Sequence, residues 1–315
     1  MNILLTGGAG YLGSVLTPHL LRAGHRVTIL DNFLYDQISL LNVCHDDKLT
    51  IVHGDVRNHA LVRTLLRDAD LILPFACLTG MPICDRFPDE ARDIIFDSIH
   101  TMLLYRSREQ CIIYPTTNSG YGIGQDGMYC TEDTPLRPIS LYGRLKVAAE
   151  EVILDAGNAV SLRLATVFGV SSRLRLDLLV NDFVYTAYHK KYLELFEPHF
   201  KRNYIHILDV ARAVLHTIAA FDRMSGEAYN LGLSDANLSK QELCREIQKH
   251  IPDFVYKENA EGKDPDQRNY IVSNQKIERT GFVPLFSLQD GITELIKAFQ
   301  IITVTPENRK MFYNA

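Results

Sequence analysis

Short apolar runs alternate with longer stretches of helical periodicity through the first half of the chain. The helical stretches repeat apolar residues every three or four positions and are Tyr11–Ala23, His59–Leu66, Pro88–Ser107 and Leu141–Leu154. The apolar runs that predict strands are Ile3–Thr6, Val27–Leu30, Leu49–Val52, Leu71–Leu73, Cys111–Tyr114 and Val160–Leu164. Such strands, apolar on both faces and separated by helices, are typical of a covered parallel sheet. The right-handed crossover rule then predicts an α/β, Rossmann-type doubly wound fold.

The alternation ends after Gly169, which indicates a second, smaller α/β region. Later elements are a strand at Ala228–Leu231 and helices at Ile207–Phe221, Lys240–His250 and Leu288–Phe299. We expect residues 1–170, with 205–235 returning to them, to form the first domain. Residues 171–204 and 236–315 are expected to form the second. The polar tail after Thr303 is expected to be loosely held.

Composition narrows the class of protein. The chain has 315 residues, of which 46% are hydrophobic and 23% charged, so a disordered, collagen-like or coiled-coil chain is excluded. A net charge of −5 gives no global attraction to nucleic acid or an anionic membrane. The six cysteines form no CxxC pair, which favours free thiols in a reducing compartment over a zinc site. With no signal-peptide pattern at the start, we expect a cytoplasmic protein without a bound metal.

The first predicted strand runs into a glycine-rich turn. Gly7, Gly10 and Gly13 have the spacing GxxGxxG, and a predicted helix begins at Tyr11. Glycine permits the tight turn and lets the backbone approach a pyrophosphate, while the first amides of the helix point at that anion. The position between a strand and a helix is the context that distinguishes a dinucleotide site from an ordinary turn.

Two carboxylates lie where the adenosine half of a dinucleotide is expected. Asp31 ends the second strand and is placed to accept hydrogen bonds from the ribose. A carboxylate there repels a 2′-phosphate, so the sequence favours NAD over NADP. Asp55 follows the third strand, where it is either beside the adenine or a solvated turn residue.

Tyr142 and Lys146 are four residues apart on a predicted helix and therefore share one face. A neighbouring ammonium and a cationic nicotinamide ring would both lower the pKa of a tyrosine, which is ordinarily near 10. Such a tyrosine can accept a proton from a substrate hydroxyl while a hydride leaves the same carbon. The alternative is an ordinary surface pair. The polar segment Pro115–Gly122 follows a parallel strand, at the sheet edge where such folds bind ligands, and favours the functional interpretation.

These motifs, in this order and with the segment Arg202–His206, resemble the extended short-chain dehydrogenases/reductases that act on nucleotide sugars. The resemblance covers about the first 300 residues. It implies that Tyr142 is the catalytic base, that Lys146 binds the nicotinamide ribose and modulates Tyr142, and that Thr117 hydrogen-bonds the reacting hydroxyl. The predicted cofactor-binding residues are Gly7, Gly10, Tyr11, Leu12, Gly13, Asp31, Asn32, Asp55, Val56, Tyr142, Lys146 and Phe168.

Departures from the family pattern narrow the chemistry. The family's 4,6-dehydratases carry Asp-Glu after the triad hydroxyl, whereas this chain has Asn118 and Ser119, so 4,6-dehydration is not expected. Ser119 also replaces the cysteine of the GDP-sugar 3,5-epimerase/reductases. The reactions that remain compatible with the sequence are oxidation at one hydroxyl and oxidation followed by re-reduction from the other face. Segments such as Arg163–Phe183 are similar to NAD-dependent GDP-heptose 4-dehydrogenases of bacterial capsule biosynthesis, which implies C4 oxidation of GDP-D-glycero-D-manno-heptose.

Substrate contacts are predicted on both sides of the crevice. The resemblance assigns Arg202 and Arg268 to the substrate diphosphate, which suits the bidentate geometry of a guanidinium. Arg173 and Arg175, just before Asn181, are either solvated or reach the nucleotide. The predicted substrate-binding residues are Leu78, Thr79, Thr117, Asn118, Ser119, Asn181, Arg202 and Arg268.

These residues lead to three hypotheses about function and one prediction about oligomeric state. The leading hypothesis is a nucleotide-sugar C4 dehydrogenase, the second a nucleotide-sugar 4-epimerase, and the third a dinucleotide-sensing protein without catalysis. A homodimer or higher homo-oligomer is predicted through Pro88–Ser107 and Leu141–Leu154, because the first of these helices has more apolar residues than one sheet-facing stripe needs. Those residues are Ile94, Ile95, Ile99, Met102 and Leu103.

Overall fold

The computed structural model describes residues 1–125, 127–259 and 268–314. Its strands are β1 (Asn2–Thr6), β2 (Arg26–Asp31), β3 (Leu49–His53), β4 (Leu71–Pro74), β5 (Cys111–Thr117), β6 (Tyr129–Cys130), β7 (Ala159–Leu164), β8 (Thr166–Phe168), β9 (Tyr192–Leu195), β10 (Lys201–His206), β11 (Ala228–Leu231), β12 (Asn237–Ser239), β13 (Val255–Glu258) and β14 (Ile271–Val272). Its helices are α1 (Tyr11–Arg22), α2 (His59–Leu66), α3 (Met81–Arg86), α4 (Pro88–Arg92), α5 (Ser98–Tyr105), α6 (Leu141–Asp155), α7 (Leu179–Lys190), α8 (Ile207–Ala219), α9 (Phe221–Met224), α10 (Lys240–Gln248), α11 (Gln275–Glu278) and α12 (Leu288–Phe299).

Seven parallel strands form the central sheet in the order β11-β7-β5-β4-β1-β2-β3. Helices α1 and α8 pack together on one face, and α2, α5 and α6 cover the other. The chain reverses its direction of winding between β1 and β4, where the carboxyl ends of neighbouring strands leave a crevice. The α/β doubly wound fold predicted from the apolar runs is confirmed.

The later chain forms smaller sheets beside this layer. Strand β10 pairs in parallel with β8 and antiparallel with β12, while β9 pairs with β13 and β6 with β14. Helix α7 packs against α10 and α12. Strand β11 returns to the edge of the central sheet beside β7. Among the described residues, no helix combines the length and apolar character needed to cross a membrane.

Two expectations about the outer parts of the molecule are wrong. The tail after Thr303 is held by packing, because Phe312 and Tyr313 lie against the core and the carbonyl of Phe312 accepts from the Leu176 amide at 2.9 Å. The residues thought to form a second apolar face on Pro88–Ser107 are mostly interior. Ile94, Ile95, Ile99 and Met102 are buried within the chain, and Leu103 is half-buried.

Candidate active site

The glycine turn after β1 is shaped for close backbone approach. Gly7 has a φ of +71°, and a Cβ on it would lie 2.7 Å from the Ala76 amide nitrogen. A Cβ on Gly13 would lie 2.5 Å from the Gly7 carbonyl oxygen. Any side chain at either position would therefore displace the turn. The first amides of α1, which have no acceptor within the helix, remain directed at the crevice.

Asp31 ties the end of β2 to this turn. Its Oδ2 accepts from the Ala9 amide at 2.9 Å, and its Oδ1 accepts from the Phe33 amide at 2.8 Å. Burial raises the pKa of the Asp31 carboxyl, and those two backbone hydrogen bonds partly offset the shift. The carboxyl lines the crevice together with Asn32, as expected for a group that meets a ribose.

Asp55 and Val56, which follow β3, line the same end of the crevice. The Arg57 guanidinium binds Asp55 through two hydrogen bonds of 2.9 and 2.8 Å. The hydrogen bond from Arg57 is the main reason why the pKa of Asp55 falls to about 2. Asp55 therefore carries a negative charge that is already paired, and its loop presents Val56 beside it.

The tyrosine–lysine pair lies at the start of α6, where the Ser140 hydroxyl accepts from the Gly143 amide at 3.1 Å and caps the helix. Tyr142 lines the crevice, whereas Lys146 is 4% exposed and its Nζ lies 4.0 Å from the centre of the Tyr114 ring. Burial lowers the pKa of Lys146 to about 8. Burial also raises the pKa of Tyr142, so the charges of the protein alone do not produce the lowered tyrosine pKa that the sequence predicts.

The end of β5 brings Thr117 and Ser119 to the crevice beside Tyr142. The two hydroxyls are 2.8 Å apart, and the Ser119 amide donates to Thr117 Oγ1 at 3.1 Å. The Arg268 guanidinium donates to the Ser119 hydroxyl from the second half of the chain. Asn118 is 1% exposed, and neither atom of its side-chain amide has a hydrogen-bond partner in the described parts of the chain.

The crevice continues from this pair into the later chain as one cavity of about 570 Å³. Leu78 and Thr79 line it from the segment after β4. Arg202 on β10 is 2% exposed, and its guanidinium lies 5.7 Å from the centre of the Tyr270 ring. Arg202 and Arg268 thus contribute positive charge to the wall formed by the second half of the chain.

Four predicted site residues do not line the cavity. Lys146 and Asn118 lie directly behind its wall. Phe168, predicted to meet the cofactor, instead packs its ring edge-to-face on His206 at 5.4 Å. The Asn181 amide, predicted to bind substrate, accepts from the Gly169 amide at 3.1 Å and donates to the Arg175 carbonyl at 2.8 Å. Phe168 and Asn181 therefore pack against neighbouring residues of the protein and do not reach the cavity directly.

Sequence reasoning missed several cavity residues or left their place open. They come from the loop after β2, the segment after β8, the start of α10 and the chain near β14, and they are Tyr35, Gln37, Arg173, Arg175, Lys240 and Tyr270. The one visible signal was the pair of arginines in Arg173-Leu174-Arg175. The others stand in segments with no motif.

The residues that line the cavity are suited to binding a dinucleotide. A glycine cradle that a single Cβ would obstruct stands at one end, and Asp31 with Asn32 supplies polar groups for a ribose. Tyr142 and Thr117 line the same cavity, so a nicotinamide bound next to them would lie beside the predicted general base. A second ligand has room on the arginine side.

Comparison with known proteins agrees with this geometry. Residues 3–232 match the NAD dependent epimerase/dehydratase family. A UDP-glucose 4-epimerase of Corynebacterium glutamicum is 28% identical, with 90% of this chain and 91% of the relative covered. A dTDP-glucose 4,6-dehydratase of Streptomyces niveus is 25% identical, with 95% and 93% covered. The solved UDP-glucose 4-epimerase of Thermotoga maritima shares the fold, with a TM-score of 0.83, 22% identity and 95% and 99% coverage.

These similarities bear on the predictions at family level. They confirm NAD as the cofactor, because the matched family is NAD-dependent. They also support the predicted class of nucleotide-sugar enzyme, while the names of these relatives give no support to GDP-heptose as the substrate. The matched region contains the glycine turn, Asp31, Thr117, Tyr142, Lys146 and Arg202. The chain belongs to the NAD dependent epimerase/dehydratase family.

Proposed function

We propose that this protein is a nucleotide-sugar 4-epimerase, which oxidises the C4 hydroxyl of its substrate and reduces the ketone from the other face. The observation that carries redox chemistry is that Thr117 and Tyr142 line one cavity together with the cofactor loop, and the similarity to a UDP-glucose 4-epimerase favours re-reduction over release of the ketone. The two residues after Thr117 are Asn118 and Ser119, neither of which is an acid or base near neutral pH. The site is thus equipped for redox chemistry at one carbon, and the two positions at which the family's 4,6-dehydratases carry Asp-Glu hold no acid or base that would eliminate water.

The roles of the side chains follow from their positions. When bound, NAD accepts the hydride that leaves C4 and can return it. Tyr142 takes the proton of the reacting hydroxyl onto its phenol oxygen as the hydride leaves, and gives the proton back when the ketone is reduced. Thr117, held by the Ser119 amide, orients that hydroxyl. Lys146, buried one helical turn after Tyr142, would supply a positive charge on the same face of α6 that favours the phenolate.

The substrate diphosphate has a cationic wall available to it. Arg202 and Arg268 both line the cavity, and Lys240 stands with them at the start of α10. The contact between Arg268 and Ser119 connects this wall to the reacting centre. Binding of the diphosphate would therefore fix the position of the sugar relative to Thr117 and Tyr142. In this proposal residues 1–170 and 205–235 supply most of the cofactor site, and residues 171–204 and 236–315 supply most of the sugar-nucleotide site.

A second candidate is net oxidation, with release of a 4-keto sugar. The observation that favours it is the similarity of Arg163–Phe183 to GDP-heptose 4-dehydrogenases, a segment that supplies Arg173, Arg175 and Asp177 to the cavity. The same triad would perform this oxidation, and a different reaction would have to reoxidise the cofactor. GDP-D-glycero-D-manno-heptose is the substrate that this candidate implies.

Incubation with a panel of UDP-, dTDP- and GDP-sugars, followed by mass spectrometry and proton NMR, separates the candidates. The epimerase proposal expects a product of unchanged mass with inverted C4 and no net NADH. A product that has lost two hydrogen atoms, with equimolar NADH, supports the dehydrogenase instead. If every sugar is returned unchanged while NAD binds, the third hypothesis of a dinucleotide-sensing protein replaces both.

We also propose a homodimer built on α5 and α6. These helices pack on each other beneath the catalytic tyrosine. Leu103, Leu145 and Val152 of these helices are only partly covered by the chain itself, as is Phe96 in the helical turn Asp93–Asp97 just before α5. Burial of that surface against a second copy would restrain α6 and thus the position of Tyr142.

A further inference from the structure

Arg173 is a buried cation whose hydrogen-bonding capacity is only partly used. The side chain follows β8, is 2% exposed and contributes to the cavity wall. Its Nη2 donates to the Oδ1 of Asn314 at 2.7 Å. Its Nη1 has no hydrogen-bond partner among the residues that the structure describes. A buried guanidinium left in this state is unfavourable by itself, which points to an anion that completes it.

The surroundings compensate the charge of Arg173 only in part, because the nearby carboxylate of Asp177 makes its hydrogen bonds to Arg175. Its Cζ lies 4.4 Å from the centre of the Tyr35 ring, and the Tyr35 hydroxyl also has no partner in the described parts of the chain. The neighbouring Arg175 is neutralised, since Asp177 binds it through hydrogen bonds of 3.0 and 2.7 Å. Burial, followed by the positive charge of Arg175, lowers the pKa of Arg173 to about 10, so it stays charged at neutral pH.

The position of this arginine indicates which anion it meets. Tyr35 belongs to the loop that begins at Asp31, the predicted ribose ligand. The segment before Arg173 is attached to the first turn of α1, where the Tyr11 hydroxyl donates to the Gly169 carbonyl at 2.8 Å. Arg173 thus contacts the loop after Asp31 directly, and its own segment is hydrogen-bonded to α1 through Gly169, whereas Arg202 and Arg268 stand with Tyr270 and Ser119.

We infer that Arg173 binds the diphosphate of NAD, adding a charged side chain to the backbone amides of the glycine turn. Asn314 is a positioning residue that fixes the guanidinium through Nη2. The tail that carries Asn314 is itself held at two points before this residue, because Lys310 pairs with Asp36 at 2.8 Å and the Phe312 carbonyl accepts from the Leu176 amide. The inference rests on the assignment of NAD and is independent of the sugar and of the reaction outcome.

Calorimetric titration of an Arg173→Met variant with adenosine, ADP-ribose and NAD tests this assignment. We expect the dissociation constants of ADP-ribose and NAD to rise about 10- to 100-fold, as for loss of a charge-assisted contact. Adenosine, which has no phosphate, should bind as before. The thermal midpoint of the variant without nucleotide should stay equal or rise, since the substitution removes a buried charge that lacks a partner.

Other outcomes overturn the inference. Unchanged affinity for ADP-ribose excludes a contact with the diphosphate. A lower thermal midpoint with equal losses for adenosine and ADP-ribose shows a structural role. Weaker binding of UDP and GDP with normal NAD affinity would place Arg173 on the substrate. Arg92→Met, on the exposed surface of α4, is the matched control and should leave all these values unchanged.

The role of Asn314 is tested by a double-mutant cycle. Asn314→Ala should weaken ADP-ribose binding by less than Arg173→Met, because the guanidinium remains but loses its fixed orientation. In the Arg173→Met background the same substitution should have no further effect on ADP-ribose affinity. Additive losses would show that Asn314 acts without Arg173 and would remove it from the proposal.

Discussion

Tyr142 stands in an environment that opposes its ionisation. Burial raises the pKa of its phenol, and the nearby guanidinium groups of Arg268 and Arg175 only partly offset that shift. Lys146 is buried and its own pKa is lowered to about 8. The positive ring of oxidised NAD is the additional charge that the family reaction brings to this place. We therefore expect the phenol to ionise more readily once oxidised NAD is bound beside it.

Replacement of Tyr142 by Phe removes one hydroxyl and keeps the ring. The rate of single-turnover hydride transfer, monitored through the absorbance of NADH, should fall by ~10²–10⁴-fold, which is the usual contribution of a general base. NAD affinity and the thermal midpoint should change little. Tyr192→Phe, at an exposed position on β9, is the control. Near-native transfer in Tyr142→Phe would remove this residue from the reaction.

Substitution can separate the structural role of Asp31 from the recognition of the cofactor ribose that the sequence predicts for it. Its two oxygens already accept backbone hydrogen bonds, so Asp31→Ala should lower stability as well as NAD affinity. Asp31→Asn keeps one acceptor and the size of the side chain. We expect Asp31→Asn to bind NAD about tenfold more weakly and to discriminate less against NADP, measured by calorimetry with both cofactors. An unchanged ratio of the two affinities would contradict the assignment of Asp31 to the ribose.

Asp182 predicts a pH dependence of stability. Burial is the main reason why its pKa rises from 3.8 to about 6. The folded protein therefore holds a proton that the unfolded chain releases, and stability from this group declines as the pH rises from about 4 to 6. Asp182→Asn should abolish that decline and raise the free energy of unfolding by about 1 kcal/mol at pH 7, with no gain at pH 4. Urea unfolding at both pH values measures the free energy of unfolding of each variant. Asp222→Asn, at an exposed position, is the control.

At the scale of elements, the strand–turn–helix unit of β1 and α1 depends on the absence of side chains. A Cβ at Gly13 would approach the Gly7 carbonyl oxygen to 2.5 Å and the Gly8 Cα to 2.6 Å. Gly13→Ala should thus lower stability by about 1–3 kcal/mol and weaken NAD binding at least about tenfold. Gly24→Ala is a matched control, since its φ of +88° is strained but no atom lies within 4 Å. It should lose stability and keep NAD affinity; equal NAD affinity in both variants would refute the cradle.

The sequence was sufficient to predict the helices and strands whose apolar pattern is contained in the element itself. Helix α2 and strand β11 have the bounds that periodicity predicts, and α6 differs by one residue. Short strands such as β9 and β13 were missed because they pair in a sheet of only two strands. Their burial depends on neighbours distant in the chain, and no local alternation marks them. Helix α7 was missed because the stretch from residue 170 to 202 mixes apolar and charged positions.

The same distinction explains the site. The glycine turn and Tyr142–Lys146 were predictable, because each motif lies within one strand–helix unit. Arg173 and Tyr35 were not predictable as partners, since 138 positions separate them and only the packed tail and loops bring them together. Phe168 was misplaced for a related reason. Its side chain on the short strand β8 turns towards His206 and α12, whereas a simple continuation of β7 would have suggested the crevice.

At the scale of the whole molecule, the proposed dimer is tested through the outer surface of α5 and α6. Leu104 is 73% exposed, and Leu103 and Leu145 are partly covered by the chain itself. Association would bury this surface, and about 25 cal/mol per Å² of apolar area favours it. Sedimentation should give twice the mass of one chain at micromolar concentration. The double variant Leu103→Lys with Leu145→Lys should be monomeric and should turn over more slowly, because α6 loses a restraint next to Tyr142. The control Ile301→Lys, at an exposed position after α12, should remain dimeric. A fully active monomeric wild type would refute the dimer and its proposed effect on catalysis.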